Sequence, residues 1–299
     1  MIQRITLYLP IILFLFSDAA YSSGTINDVN SIVKLMDSYE KRIDSIKLKY
    51  SYETKFAIDE EGNRELVKGT YAQKKSEGYI LLDERWQVGK TWDNDKDGMG
   101  IARSYNGEIT RYFEHNKNAV GYHMAALDKI HKPEDYNRSR NNPYYRVWGN
   151  NYKHRFVDRL NDPNGMATIQ GEEIVDGLKT IKINFKAEEG ILDFYLWLLP
   201  ERNFLPIKCI INHKELEGKL LEMHWSEFKE FAGCIWYPMK IDMYNRDLKE
   251  PITITIEEMD ISPLKKEDFE FEFPPDTHVT DEIAGISYLT SEPEDKTDK

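Results

Sequence analysis

Apolar residues at Val29, Ile32, Val33, Leu35, Met36, Ile43 and Ile46 recur at close to helical spacing, and Asn27 or Asp28 is placed to cap the start. The spacing predicts one amphipathic helix. From Ile46 the period changes to two: Ile46, Leu48, Tyr50, Tyr52, Phe56 and Ile58 alternate with Lys47, Lys49, Ser51, Glu53 and Lys55. That alternation predicts a long half-buried strand. Strand-and-turn units follow in "ELVKGTYAQKK", "GYILLDERW", "GIARSYNG" and "EITRYFEH", the last two joined through Asn106-Gly107, a dipeptide suited to tight hairpins. A polar, Tyr-rich interruption over 124–162 predicts one or two short helices around "PYYRVWGNNYKHRFVDRL". Strands resume with "MATIQGEEIVDG" and "LKTIKINFKA", in which Ile181, Ile183 and Phe185 alternate.

In "DFYLWLLPERNFLPIKCIINHKE", Phe194, Leu196 and Leu198 share one parity and Tyr195 and Trp197 the other, so this strand is apolar on both faces. With a turn at Pro200–Asn203, Leu198 is expected opposite Leu205, Leu196 opposite Ile207 and Phe194 opposite Cys209. The next hairpins are expected to set Ile211 against Leu221, Cys209 against Met223 and Ile207 against Trp225, then Met243 against Met223 and Ile241 against Trp225. One register places all these side chains on a single face, because a slip of one residue would exchange faces. "PITITIEEMDI", with Ile252, Ile254 and Ile256 in phase, is expected to be the final strand. The fold class is therefore mainly β: a large curved antiparallel sheet forming an incompletely closed barrel, plugged by the N-terminal helix and short mid-chain helices.

Residues 1–23 form a separate unit. Arg4, an apolar run from Ile5 to Phe16 and Ala20-Tyr21-Ser22 have the layout of a cleaved export signal. Residues 24–288 are expected to fold as one domain, and 289–299 as a disordered acidic tail. The net charge is −12 and the mean hydropathy −0.62. The basic residues do not cluster, which argues against nucleic acid as a partner. The two cysteines, Cys209 and Cys234, fall more than a strand apart in the expected register, beyond reach of a disulfide; two unpaired, mostly buried thiols are expected.

The helix running into a long strand ("SYEKRIDSIKLKYSYETKF"), the "SYNGEITRYF" hairpin, "GEEIVDGLKTIKINF", "FYLWLLPERNFLPIK", "FAGCIWYPMKI" and the closing "FEFEFPPDTHVTD" together resemble the outer-membrane lipoprotein carrier (LolA-type) superfamily, which includes the periplasmic regulator RseB. The resemblance implies a half-open barrel with helices lying over an apolar cavity that holds acyl chains. It implies a periplasmic binding protein with a hydrophobic molecule or lipoprotein acyl chains as partner, or an envelope-stress regulator. No arginine matches the carrier's lid-locking residue. The ligand-facing set would be Leu48, Tyr50, Tyr52, Phe56, Ile181, Ile183, Phe194, Leu196, Leu198, Ile207, Ile211, Met223, Trp225, Met239, Ile241, Met243 and Ile254. Tyr144, Tyr145, Trp148 and Tyr152 are candidates for a lid. Methionines repack readily around irregular ligands; the same pattern also suits a filled core, and the sequence leaves hollow and solid interiors both open.

Other chemistry is weakly represented. Asp93, Asp95 and Asp97 followed by Gly98 copy the first half of a calcium loop, but Ser104 stands where a bidentate Glu is needed. The histidines lack metal-ligand spacing, and no nucleophile elbow, phosphate loop or dinucleotide fingerprint is present. No cofactor and no catalytic residue is expected; a glycan-processing enzyme is the lesser alternative.

Overall fold

The computed structural model describes residues 28–54, 62–94, 98–116, 121–131, 141–151, 154–186, 191–216, 218–246 and 250–291. The predicted export segment, Phe56, Asp95, Asp97, Tyr152 and residues 292–299 of the predicted tail lie outside the described residues.

Helix α1 (Val29–Lys41) is capped by Asp28, whose carboxylate accepts from the Ser31 amide at 2.8 Å. Strands β1 (Ser45–Thr54), β2 (Arg64–Lys74), β3 (Tyr79–Gly89), β4 (Met99–Tyr105), β5 (Thr110–Glu114) and β6 (His123–Asp128) follow as a meander. Then come α2 (Pro143–Trp148), a two-stranded hairpin of β7 (Gly149–Asn151) and β8 (His154–Arg155), and α3 (Phe156–Leu160). A second meander comprises β9 (Met166–Val175), β10 (Leu178–Lys186), β11 (Leu192–Leu199), β12 (Leu205–His213), β13 (Lys219–Phe231), β14 (Ile235–Asn245) and β15 (Ile252–Asp260). The chain ends in β16 (Thr277–Asp281) and β17 (Ile286–Leu289).

Pairing of β15 with β1 fuses the two meanders into one 15-stranded sheet, open between its edges β17 and β9. The sheet curls so that Leu48 and Tyr71 share a core with Ile183 and Phe194 from near the β9 edge.

Several expectations need correction. The tail expected from 289 starts later, because Leu289 pairs with His278 in β17 and the Thr290 amide donates to the Thr277 carbonyl at 2.9 Å. β6 falls inside the stretch read as an interruption. β15 is not the last strand, and β16 pairs parallel with β6 rather than antiparallel. The β11–β12 register differs as well: Leu199 faces Leu205, Leu196 faces Cys209 and Phe194 faces Ile211, with a bulge at Trp197/Leu198. Asn203 and Phe204 are both left-handed (φ 55° and 60°), which lengthens the turn, and the bulge absorbs the extra residue. As a result Ile207 leaves the inner face and packs with Trp197 and Leu199 outside. Of the other expected pairs, Ile211 with Leu221, Cys209 with Met223, Met223 with Met243 and Trp225 with Ile241 are present; Ile207 does not meet Trp225, since the β12–β13 ladder starts at Lys208 with His224 and Ile207 faces outward. Finally, both thiols are free, but only Cys209 is buried; Cys234 is exposed in the β13–β14 turn.

The convex face is covered unevenly. Over β2–β6 the C-terminal segment lies across the sheet, packing Leu264 and Phe269 near Ala72 and Leu81, and Val279, Phe271 and Phe273 near Phe113.

Candidate functional site

Fourteen of the predicted ligand-facing residues lie buried in one cluster on the concave face: Leu48, Tyr50, Ile181, Ile183, Phe194, Leu196, Leu198, Ile211, Met223, Trp225, Met239, Ile241, Met243 and Ile254. Tyr52 packs half-buried against them. The face is not bare. Ile32, Val33, Met36 and Tyr39 of α1, Tyr144, Tyr145, Val147 and Trp148 of α2, and Phe156, Val157 and Leu160 of α3 belong to the same cluster, each at most 9 % exposed. Ring contacts fix the fit: Tyr71 stacks on Tyr144 at 5.2 Å, Tyr39 meets Trp148 at 6.1 Å, and Phe156 meets Trp225 edge-on at 6.1 Å.

Polar contacts hold this helical layer to the sheet. The Tyr39 hydroxyl donates to the Trp236 carbonyl at 2.8 Å and accepts from the Trp236 amide, while Trp225 Nε1 donates to the Arg146 carbonyl at 3.1 Å. The densest junction is Glu40, 5 % exposed at the end of α1. Its carboxylate accepts from the Tyr144 hydroxyl (3.2 Å) and Arg155 Nη1 (3.1 Å) and lies 3.6 Å from Lys75 Nζ, which also donates to the Glu40 carbonyl at 2.8 Å. Arg155 in turn meets Asp158 at 2.7 Å and Asp37 at 3.6 Å. One carboxylate thus ties α1 to α2, to the start of α3 and to the end of β2. Sequence reading missed Glu40 and Arg155. The signal was there: Glu40 lies four residues after Met36, on the apolar face of α1.

Burial governs the titration of the groups under this layer. It raises the Tyr39 phenol to about 12 and pushes the Tyr71, Tyr144 and Tyr237 phenols well above their usual range. It lowers the Arg146 guanidinium to about 10 against the opposing pull of Tyr52, lowers Lys75, and lifts the Cys209 thiol to about 12. Two polar groups still reach the apolar face. Arg159 lies 4.8 Å from the Phe194 ring centre, and Tyr50 donates to buried Glu84 at 2.6 Å. Gly69 makes room for the Tyr50 ring, since a Cβ there would sit 2.5 Å from it.

Four hollows of about 440 to 570 Å³ open at the ends of the sheet or on its convex side. Of the predicted ligand-facing residues only Tyr52 and Met239 line any of these four. Tyr144, Tyr145 and Trp148 lie inside the helical layer. In the candidate calcium loop, the Asp93 backbone exchanges hydrogen bonds with the Gln87 side chain at 2.6 and 2.9 Å. Among the described residues no three His, Cys, Asp or Glu side chains are grouped to hold a metal, and no helix is long and apolar enough to cross a membrane.

These features define a mainly β protein whose open sheet is covered on its apolar concave side by short helices. No family model matches the chain, and no curated protein matches it in sequence. Among solved structures it is similar in fold to a domain described as an outer membrane lipoprotein-sorting protein from Vibrio parahaemolyticus (10 % identity, TM-score 0.48, covering 81 % of this chain and 97 % of that one). It is similar also to a LolA superfamily protein from Nitrosomonas europaea (15 %, 0.40, 81 % and 97 %) and to MucB (9 %, 0.31, 82 % and 63 %). The likeness is one of fold alone; at these identities and scores nothing about function follows from it.

Proposed function

We propose that the chain is an exported, non-catalytic binding protein that receives a hydrophobic molecule, an acyl chain in the first instance, on its concave face when the helices withdraw. One observation carries the reading: among the described residues no backbone-to-backbone hydrogen bond joins α1, α2 or α3 to the sheet, whereas β16 and β17 are laced in by ladders. The hydrogen bonds that tie the helical layer to the sheet each use a side chain.

Withdrawal of the whole layer would expose eleven buried apolar side chains, roughly 16–33 kcal/mol at ~1.5–3 each, more than the ~12 that an acyl chain of about 16 carbons offers at ~0.8 per methylene. Withdrawal of α1 alone exposes four, roughly 6–12 kcal/mol, which such a chain can match, so α1 is the helix that gives way first. A second reading, a regulatory module whose helices never leave, is favoured by the near-complete burial of the helical side chains.

Native mass spectrometry of protein purified without detergent, then mixed with palmitate, separates the two. A stoichiometric adduct supports the carrier. A clean protein mass, together with unchanged hydrogen exchange in α1 on adding palmitate, overturns it.

A further inference from the structure

A second site lies at the rim of the sheet, mostly on its convex side; it shares Tyr52 with the concave cluster, but the indole, lysines and hydroxyls that line it lie off that face. Where β15, β1 and β2 end together, a groove of about 570 Å³ crosses the convex side of the sheet, walled by the segment that follows β3. This volume is within the range of small-molecule sites, ~300–1,000 Å³. Its lining is chemically sorted.

On one wall Trp92 is fixed by a 2.7 Å hydrogen bond from its indole nitrogen to Asn94, with the exposed Lys68 ammonium 5.0 Å from the ring centre. Beside it the exposed Lys90 meets no carboxylate among the described residues. Opposite, Ser51 donates to Glu257 at 2.7 Å, which leaves its oxygen free to accept, and Thr255 presents a hydroxyl. Arg64 also lines the groove, paired with Glu53 at 2.8 Å.

An indole beside a row of hydroxyls suits a sugar ring, whose C–H face stacks on aromatic rings while its hydroxyls exchange hydrogen bonds. Two ammonium groups without carboxylate partners suit an anion carried by that ring. A bare hydrocarbon chain would leave hydroxyls and charges desolvated. A polyanion would meet Glu53, Glu250 and a chain of net charge −12.

We infer that this groove binds an acidic saccharide, a sugar ring bearing one phosphate or carboxylate. Titration calorimetry of the full chain in low salt tests it, with glucose 6-phosphate, glucuronate, glucose and inorganic phosphate as probes. Glucose 6-phosphate and glucuronate are expected to bind saturably, with glucose and phosphate each roughly tenfold weaker or worse, the size of one charge-assisted hydrogen bond. Lys90→Gln and Lys68→Gln should weaken the two acidic probes about tenfold, and Trp92→Ala should weaken every sugar. Lys68 and Lys90 are exposed, so their variants are expected to keep the native melting temperature. No saturable binding of glucose 6-phosphate, phosphate binding as tightly as the sugar phosphate, or binding unchanged in both Lys90→Gln and Trp92→Ala overturns the inference.

Discussion

Replacing Glu40 by Gln keeps the shape of the side chain and removes the charge that joins α1, α2, α3 and β2. Stripping one partner from a fully buried pair costs about 3–5 kcal/mol. Here the loss is smaller, because Arg155 keeps Asp158 and Asp37 and Lys75 keeps its hydrogen bond to the residue 40 carbonyl. What remains is the weakened Arg155 and Lys75 contacts and a poorer acceptor for Tyr144, about 1–2 kcal/mol at one charged hydrogen bond's worth. That falls on the helical layer, not on the sheet ladders. It should raise the population with the helices detached by roughly 5- to 30-fold. Native-state hydrogen exchange reads this directly: amides of α1 and α2 should exchange faster by that factor while those of β13 and β14 keep their protection. Uptake of a fluorescent fatty acid should rise with it. If α1 exchanges no faster than β14 in the variant, Glu40 is an ordinary core contact and the layer does not open as a unit.

Gly69→Ala should destabilise the protein by about 1–3 kcal/mol in urea unfolding, as overpacking does, and a second change, Tyr50→Leu, should recover part of the loss by vacating the ring position. Glu222 offers a pH test: burial raises its pKa, but hydrogen bonds from Lys219, His224 and Lys208 outweigh this and bring it from 4.5 to about 2. A depressed carboxylate stabilises fully above its unfolded value and loses that contribution as pH falls from about 4.5 through 2. The shift corresponds to about 3 kcal/mol, which screening at a partly exposed cluster reduces to about 1; the stability gap between wild type and Glu222→Gln should therefore close towards pH 2. A thiol reagent at pH 8 should label Cys234 in the native protein and Cys209, with its thiol near 12, only after unfolding.

Where one face alternates strictly, the sequence announced the structure: the parity of Leu48 and Tyr50, and that of Met223 and Trp225, predicted which side chains would meet inside. The β11–β12 turn shows where parity stops. Its two left-handed residues and the bulge at Trp197/Leu198 shift the pairing without changing the alternation, so Ile207 changed faces with no trace in the pattern. Distance in the chain hid the rest. The pairing of β6 with β16 and the bond between Glu40 and Arg155 join segments more than a hundred residues apart, and neither can be read from any local window. Cys234 was misjudged because position in a turn, rather than residue type, sets its exposure.

The strand greasy on both faces now has a physical explanation. Inside, Phe194, Leu196 and Leu198 meet the core shared with the helices. Outside, Trp197 and Leu199 join Ile207, with Tyr195, Ile210 and Phe228 packed beside them. Lys182 and Lys208 lie 4.9 and 5.5 Å from the Trp197 ring, and Glu173 accepts from its indole nitrogen at 2.7 Å. Long polar side chains can roof a small outer cluster because their stems are apolar and their heads stay in water. They cannot roof the concave face, where a cluster of buried residues spans the curled sheet. That face needs a layer of chain or a ligand, and the layer it has is tied to the sheet by contacts that each use a side chain. Under the proposed binding function, exchange between helix and hydrocarbon belongs on the inner side of β11, while its outer aromatics serve as permanent structure.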